Sequence, residues 1–181
     1  MRTGKDKTLH IVPAGIGETT GVAFLGAGKY PCALGGSGIV FQVQKTEGDG
    51  ATPAGLYWPE KVFYRPDHEK EPKTRLPVQY LKKNSGWCED PGNPDYNKRV
   101  DLPHPAAAES MWRDDHLYDL GLVISHNRYP VRPGKGSAIF FHLARAGQTP
   151  TRGCVALSRD DFVEILKDIG PETLIRIHPG G

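Results

Sequence analysis

Short apolar runs, separated by glycine, proline and other turn residues, recur along most of the chain. Runs of this length with β-branched and aromatic residues predict strands, and the frequent turn residues predict many short ones. The expected strands lie at 9–14, 21–35, 38–46, the second half of 47–65, 117–127, 137–144 and 173–178. The pattern therefore predicts a mainly β protein.

The segment 158–170 has helical spacing instead. Its apolar positions recur at i, i+3, i+4 and i+7, and they are Phe162, Ile165, Leu166 and Ile169. Ser158 is the expected N-cap because its hydroxyl can accept a hydrogen bond from the first turn. Gly170 and Pro171 are expected to end the helix. We therefore predict one helix, close to the carboxyl end.

Residues 66–116 differ from the rest because they are polar, rich in proline and hardly periodic. This segment is interpreted as an irregular insertion, with one short helix near 105–115. A chain of 181 residues can bury one sizeable core, so residues 1–181 are expected to form a single domain that carries this insertion.

Composition and charge exclude several classes of function. A net charge of +2, with no basic run, argues against a nucleic-acid partner. No apolar run approaches the roughly 20 residues of a membrane-spanning helix, so no membrane span is expected. The first residues lack the apolar stretch of a signal peptide. The expected location is the cytoplasm if Met1 is the native start, and the periplasm otherwise.

The stretch PTRGCVAL, residues 150–157, contains the best candidate for chemistry. Gly153 allows a tight turn that can aim its own amide and that of Cys154 at one point, as in an oxyanion hole. His142 lies on the preceding predicted strand, and a histidine that takes the thiol proton yields the nucleophilic thiolate. A cysteine in an apolar segment is also a common core residue, so spacing alone leaves both interpretations open.

Rival residues exist for each role. His126 is the alternative base, while Cys88 is the alternative nucleophile, although the flanking acidic residues Glu89 and Asp90 would raise its pKa. Cys32 has no base nearby in the sequence and is interpreted as a packing residue. The histidines show no metal-ligand spacing such as i, i+4, so neither a metal nor another cofactor is expected.

The segment FHLARAGQTPTRGCVAL, residues 141–157, resembles the signature of the L,D-transpeptidase (YkuD-type) catalytic domain family. That signature is a histidine on a strand, a short loop, and then Ser or Thr, any residue, Gly and Cys. Further similar segments are EGDGATPAGLY (47–57), GWCEDPGNPDYNKRV (86–100), LYDLGLVISHN (117–127) and GKGSAIFFH (134–142). The resemblance covers roughly residues 38–178, and the chain is most similar to a branch of the family that carries a long insertion.

The resemblance implies a β-sandwich-like domain in which Cys154 attacks peptidoglycan stem peptides or muropeptides. The bond broken would join the L-centre of a diamino acid to a terminal D-amino acid, with a thioester intermediate. His142 would be the base, and the amides of Gly153 and Cys154 would hold the oxyanion. It also implies that a carbapenem-type β-lactam can form an adduct.

Two positions depart from the commonest form of the motif. Arg152 replaces a histidine, and Ala156 stands where arginine or asparagine is usual. Arginine suits a substrate carboxylate because it offers several fixed donors. The candidate substrate-binding residues are Arg152, Thr151, Arg145, His126, Asn127, Tyr96 and Trp87. A backbone carbonyl from 134–141, Ser137 or Asn127 is expected to orient His142.

The acceptor of the acyl group separates the possible functions. Attack by water gives an L,D-carboxypeptidase that trims tetrapeptides to tripeptides, and attack by an amine gives crosslinking or amino-acid exchange. We favour hydrolysis, because Arg152 and Arg145 can receive a free carboxylate and the 66–116 insertion can wall the cleft. A non-catalytic wall-binding module is the alternative of another class.

Overall fold

A computed structural model describes residues 8–180, which form fourteen strands and one helix. The strands are β1 Thr8–Pro13, β2 Thr20–Leu25, β3 Gly28–Ala33, β4 Ile39–Phe41, β5 Thr52–Tyr57, β6 Pro59–Tyr64, β7 Val78–Tyr80, β8 Ser85–Cys88, β9 Arg99–Asp101, β10 Ala108–Ser110, β11 Leu120–Ile124, β12 Phe140–Leu143, β13 Val155–Leu157 and β14 Leu174–Ile177. The helix, α1, spans Arg159–Asp168.

Eleven of these strands form one large, curled, mixed sheet. Their order is β4-β5-β14-β1-β2-β3-β13-β12-β11-β6-β7. The predicted mainly β fold is confirmed, and its architecture is that expected of a YkuD-type β-sandwich. The core contains inward-facing side chains from both ends of the sheet order, among them Ile11, Leu122, Phe141 and Ile177.

Helix α1 forms where the sequence predicted it. The Ser158 hydroxyl accepts a hydrogen bond from the amide of Asp161, which satisfies one otherwise unpaired donor of the first turn. The residues Phe162, Ile165 and Leu166 are buried in the core, as the spacing of the apolar positions requires. Local signals were sufficient here because caps and periodicity act within the segment itself.

The strand predicted at 38–46 is wrong beyond its first residues. Only Ile39–Phe41 is extended, because the amides of Gln44 and Lys45 turn back to the carbonyl of Phe41, at 2.9 and 3.2 Å. Val43 is consequently exposed, although its position in an apparent alternation favoured a strand.

The insertion is more regular than expected, and the helix predicted near 105–115 is wrong. Strand β10 occupies part of that segment and pairs antiparallel with β8, which also pairs with β9. The resulting three-stranded sheet buries all of β8, including Trp87. Pairing across about 20 residues of sequence overrode the local preference of the alanine-rich segment for a helix.

Strands β12 and β13 place the two candidate catalytic residues next to each other. They pair in parallel in the middle of the large sheet, and His142 is in register with Ala156. Cys154 directly precedes β13, so the turn 150–154 ends beside β12. In residues 8–180, no helix has the length and apolar character needed to cross a membrane.

Candidate active site

Cys154 lines a cavity and is only 6% exposed. Its Sγ donates a hydrogen bond to the carbonyl oxygen of Ala138 at 3.2 Å and accepts one from the amide of Phe140 at 3.4 Å. Burial raises the pKa of the thiol to about 12, because the apolar surroundings disfavour the thiolate. The resting thiol is therefore protonated, and the thiolate character needed for attack must develop as the proton leaves.

The turn before Cys154 depends on Gly153 and Thr151. Gly153 has a φ of 125°, and a Cβ there would lie 2.8 Å from the carbonyl oxygen of Ala51. The Thr151 hydroxyl donates to the carbonyl of Cys154 at 2.7 Å and accepts from the amide of Gly153 at 3.1 Å. The Gly153 amide, an expected oxyanion donor, is thus already bound to Thr151 and must exchange partners to contact substrate.

His142 has a defined tautomer. Its Nδ1 lies 2.8 Å from the carbonyl oxygen of Leu143, and since a carbonyl can only accept, Nδ1 carries the hydrogen. Its Nε2 is left with the lone pair that a base requires. The orienting group is therefore the Leu143 carbonyl and not Ser137, Asn127 or a carbonyl of 134–141. Burial lowers the pKa of His142 to about 4, so the ring is neutral near pH 7.

Tyr118 forms the wall behind the imidazole. Its ring meets that of His142 edge-on, with centroids 5.5 Å apart, and its hydroxyl donates to Glu109 at 3.1 Å. Burial raises the pKa of Glu109, while the charge of Arg113, which donates to the same carboxylate at 2.9 Å, opposes that rise. This wall had no motif in the sequence, and its only signal was an aromatic residue on an apolar strand.

Arg113 continues the network toward the solvent. It makes two hydrogen bonds to Asp115, whose carboxylate also pairs with Arg145 at 2.9 Å. These two cations hold the pKa of Asp115 well below its usual range. Arg145 thus reaches the site already paired, which leaves less of its charge for a substrate carboxylate than the sequence suggested.

One cavity, of about 160 Å³, brings the candidate residues together. His142 and Cys154 both line it, and so do three of the predicted substrate-binding residues, Thr151, Arg145 and Arg152. Charged side chains from elsewhere in the sequence also line it, namely Lys45, Glu47, Glu89, Glu109 and Arg113. Sequence reasoning missed these charged residues, because only the folding of the insertion and of the 45–50 loop brings them to the cavity.

His126 and Asn127 lie outside the lining of this cavity. His126 bonds through Nε2 to the carbonyl of Lys135 at 3.0 Å, and burial lowers its pKa to about 4. The Asn127 side chain bonds to the backbone of Arg132 and Gly136, which closes the 127–136 loop. Their contact with substrate stays a prediction, and the histidine that lines the cavity together with the thiol is His142.

Trp87 and Tyr96 are also buried away from the cavity lining. The indole N–H of Trp87 donates to Asn97 at 3.0 Å, and its ring packs edge-on against Phe140, with centroids 4.8 Å apart. Tyr96 donates its hydroxyl to Glu47, a residue that does line the cavity. In this structure both rings pack against or bond to residues near the cavity and do not line it. A direct contact with substrate stays a prediction.

The other two cysteines lie elsewhere. Cys32 is fully buried on β3 in the main core, where burial raises the pKa of its thiol to about 12. Cys88 is fully buried on β8, and neither residue lines the cavity. Both positions suit packing better than nucleophilic attack.

A strand-borne histidine with a free Nε2 and a cysteine on a glycine turn therefore face one cavity. The family model of the L,D-transpeptidase catalytic domain (YkuD) matches residues 24–177, which is most of the chain. The chain belongs to this family. Membership supports cysteine-dependent acyl transfer on peptidoglycan and confirms the resemblance predicted from the sequence. No curated protein and no solved structure gave a match.

Proposed function

We propose that the chain is an L,D-carboxypeptidase that trims peptidoglycan tetrapeptides, with Cys154 as nucleophile and His142 as base. As Sγ bonds to the peptide carbonyl carbon, the thiol proton moves to Nε2 of His142. Collapse of the tetrahedral intermediate breaks the C–N bond, and His142 gives the proton to the leaving D-amino acid. Water then attacks the thioester carbon as His142 takes its proton, and collapse of this second intermediate breaks the C–S bond, releases the tripeptide and returns the proton to Sγ.

The protonation states support this order of events. A neutral imidazole and a protonated thiol can exchange one proton as attack proceeds, which avoids a buried ion pair before substrate arrives. The Leu143 carbonyl keeps the hydrogen on Nδ1 and then stabilises the imidazolium as it forms. The single observation that carries the proposal is that His142 and Cys154 line the same cavity.

The oxyanion site is proposed to form from the amides of Gly153 and Cys154. The Thr151 hydroxyl, which accepts from the Gly153 amide at 3.1 Å, would give way to the substrate oxygen. One such donor contributes about 2.7–4 kcal/mol to transition-state stabilisation in measured cases, which exceeds the worth of a typical neutral hydrogen bond. The exchange of partners is therefore favourable at the transition state.

The size and walls of the cavity favour water as the acceptor. Its volume is about 160 Å³, and Glu89, Glu109 and Arg113 of the insertion form part of its lining. A water molecule needs little room beside the bound acyl group, whereas an acceptor stem peptide must enter the cavity alongside it. Arg152, also in the lining, is the proposed partner of the free carboxylate of the terminal D-amino acid.

One observation favours amine transfer as the second candidate. The carboxyl groups of Glu89 and Glu109 line the cavity that holds Cys154, and burial raises the pKa of both. A buried carboxylate attracts the ammonium group of a second stem peptide and can take its proton, as an acyl acceptor requires. Crosslinking or exchange is therefore the alternative to hydrolysis.

The test offers purified enzyme a soluble disaccharide-tetrapeptide, alone and with an excess of a D-amino acid or a second stem peptide. Tripeptide and free D-Ala as the main products in every mixture are the expected result, with the Cys154→Ala variant as the inactive control. Dimers or exchanged tetrapeptides in comparable yield would assign the amine as acceptor.

A further inference from the structure

Two histidines and an aspartate meet at the base of the insertion, away from the cavity. His68 follows β6 and His116 precedes β11, so the two rings stand at opposite ends of the 66–116 segment. Their centroids are 4.9 Å apart. Each Nδ1 hydrogen-bonds to the same oxygen, Oδ2 of Asp119, at 2.9 Å from His68 and 2.8 Å from His116.

The carboxylate of Asp119 is incompletely satisfied by these contacts. Its side chain is 8% exposed, and its Oδ1 is buried without a hydrogen-bond partner in the described chain. A buried carboxylate oxygen without a donor is costly, which calls for a further positive partner. The rings are more accessible, with side-chain exposures of 32% for His68 and 67% for His116. An ion can therefore enter from the solvent side.

We propose that His68, His116 and Asp119 form a binding site for a divalent transition-metal ion such as Zn²⁺. One ligand atom from each residue can be chosen so that all lie within 4.8 Å of one another, close enough to share an ion. Two imidazoles and one carboxylate are a ligand set that zinc accepts, with the fourth position left to water. This metal site takes no part in the proposed acyl transfer, and the proposal for it does not depend on that reaction.

The surroundings of His68 suit metal ligation. When Nδ1 binds a metal, the ring hydrogen must sit on Nε2, and that atom lies 3.5 Å from Oδ2 of Asp67. Arg65 holds the Asp67 carboxylate in place with two hydrogen bonds, at 2.8 and 2.7 Å. A carboxylate behind a ligating histidine is the usual arrangement that fixes the ring and increases its basicity.

Metal binding would fasten the insertion to the large sheet. The carbonyl of Asp119 already accepts from the amide of Arg65, which joins β6 to β11 at this point. An ion would tie His68 and His116 to the same place and so close the 66–116 segment at its base. Tyr118, the neighbour of Asp119, packs edge-on against His142. A bound ion would therefore also hold one side of the cavity in place.

The experiment titrates the metal-stripped protein with Zn²⁺ and measures bound zinc after dialysis, together with the dissociation constant by calorimetry. Wild type is expected to hold one equivalent. His116→Gln and Asp119→Asn are expected to bind at least about tenfold more weakly, since even outer-shell changes cost 10–100-fold. His104→Gln is the matched control, because it removes an imidazole outside the cluster, and its affinity should equal that of wild type.

A second measurement separates this site from the cavity and from folding defects. Zn²⁺ should raise the melting temperature of wild type and of Cys154→Ala equally, and leave that of His116→Gln unchanged. His116 is well exposed, so this variant is expected to fold. Equal zinc binding by wild type and His116→Gln, no stoichiometric binding by wild type, or loss of binding in Cys154→Ala would overturn the proposal. The cluster would then be a hydrogen-bonded His–Asp–His group.

Discussion

His142 donates its Nδ1 hydrogen to the carbonyl oxygen of Leu143, 2.8 Å away on the same strand. The backbone of β12 thus fixes the tautomer of its own catalytic candidate, without an acidic side chain. An aspartate in that place would favour the imidazolium and raise the pKa of the ring. Deep burial instead lowers the pKa of His142 to about 4, and the hydrogen bond to the neutral carbonyl offsets only part of that effect.

The pH at which activity falls on the acid side of the pH profile should therefore be unusually low. Because a pKa of about 4 keeps His142 in its basic form down to that pH, kcat/KM should be nearly constant from pH 7 to 5 and fall near pH 4. The measurement is kcat/KM for D-Ala release, with the fold checked by circular dichroism at each pH. A limb centred near 6.5 would mean that His142 is not buried as described, or is not the base.

Thr151 should control the shape of the nucleophile turn through its hydroxyl. Thr151→Val keeps the volume but loses the bonds to Gly153 and Cys154, so we expect a loss of about 1–3 kcal/mol in the free energy of unfolding and reduced activity. Thr151→Ser retains the hydroxyl and is the matched control, expected to stay close to wild type. Urea unfolding and D-Ala release measure both, and equal behaviour of the two variants would contradict the role.

Gly153 should tolerate no side chain. In Gly153→Ala the new Cβ would lie 2.8 Å from the Ala51 carbonyl at a φ of 125°, so the turn must shift. Strain of this kind costs of order 1–3 kcal/mol and displaces the Cys154 amide. We expect loss of activity with a lowered melting temperature. Gly147→Ala is the comparison, because its φ is also positive but its Cβ would meet nothing within 4 Å, so it should lose stability without losing activity.

His126 should make stability depend on pH. Burial lowers its pKa from 6.5 to about 4, so between those values the unfolded chain binds a proton that the folded chain does not. Stability therefore falls as the pH drops through this window, by up to about 3 kcal/mol for this residue. In His126→Gln, the slope of unfolding free energy against pH from 6.5 to 4 should be smaller. An unchanged slope would show that His126 titrates normally.

The sequence predicted what depends on neighbouring residues. Ser158 and the apolar spacing that follows it were enough for α1, and the strand and glycine turn made His142 and Cys154 candidates for one site, although spacing alone left a core role for Cys154 open. The resemblance supplied the chemistry. These features are readable because each is encoded within about 20 residues.

The rest of the fold and of the candidate site depends on contacts between residues far apart in the sequence, which no local pattern contains. Strand β10 forms because β8 offers it a partner, and this pairing brings Glu109 into the cavity. Trp87 and Tyr96 became buried because the insertion folds against the site. The Leu143 carbonyl could not be chosen in advance, since every residue has a carbonyl and only the strand geometry selects one.

The most direct test of the account is where a carbapenem acylates the protein, read by intact-mass spectrometry and peptide mapping. The lactam carbonyl would meet the thiol as the peptide carbonyl does, so wild type, Cys88→Ala and Cys32→Ala should each gain one adduct, mapped to Cys154. The variant Cys154→Ala should gain none. An adduct on Cys88 or Cys32, or one that persists in Cys154→Ala, would contradict the assignment of Cys154 as the nucleophile.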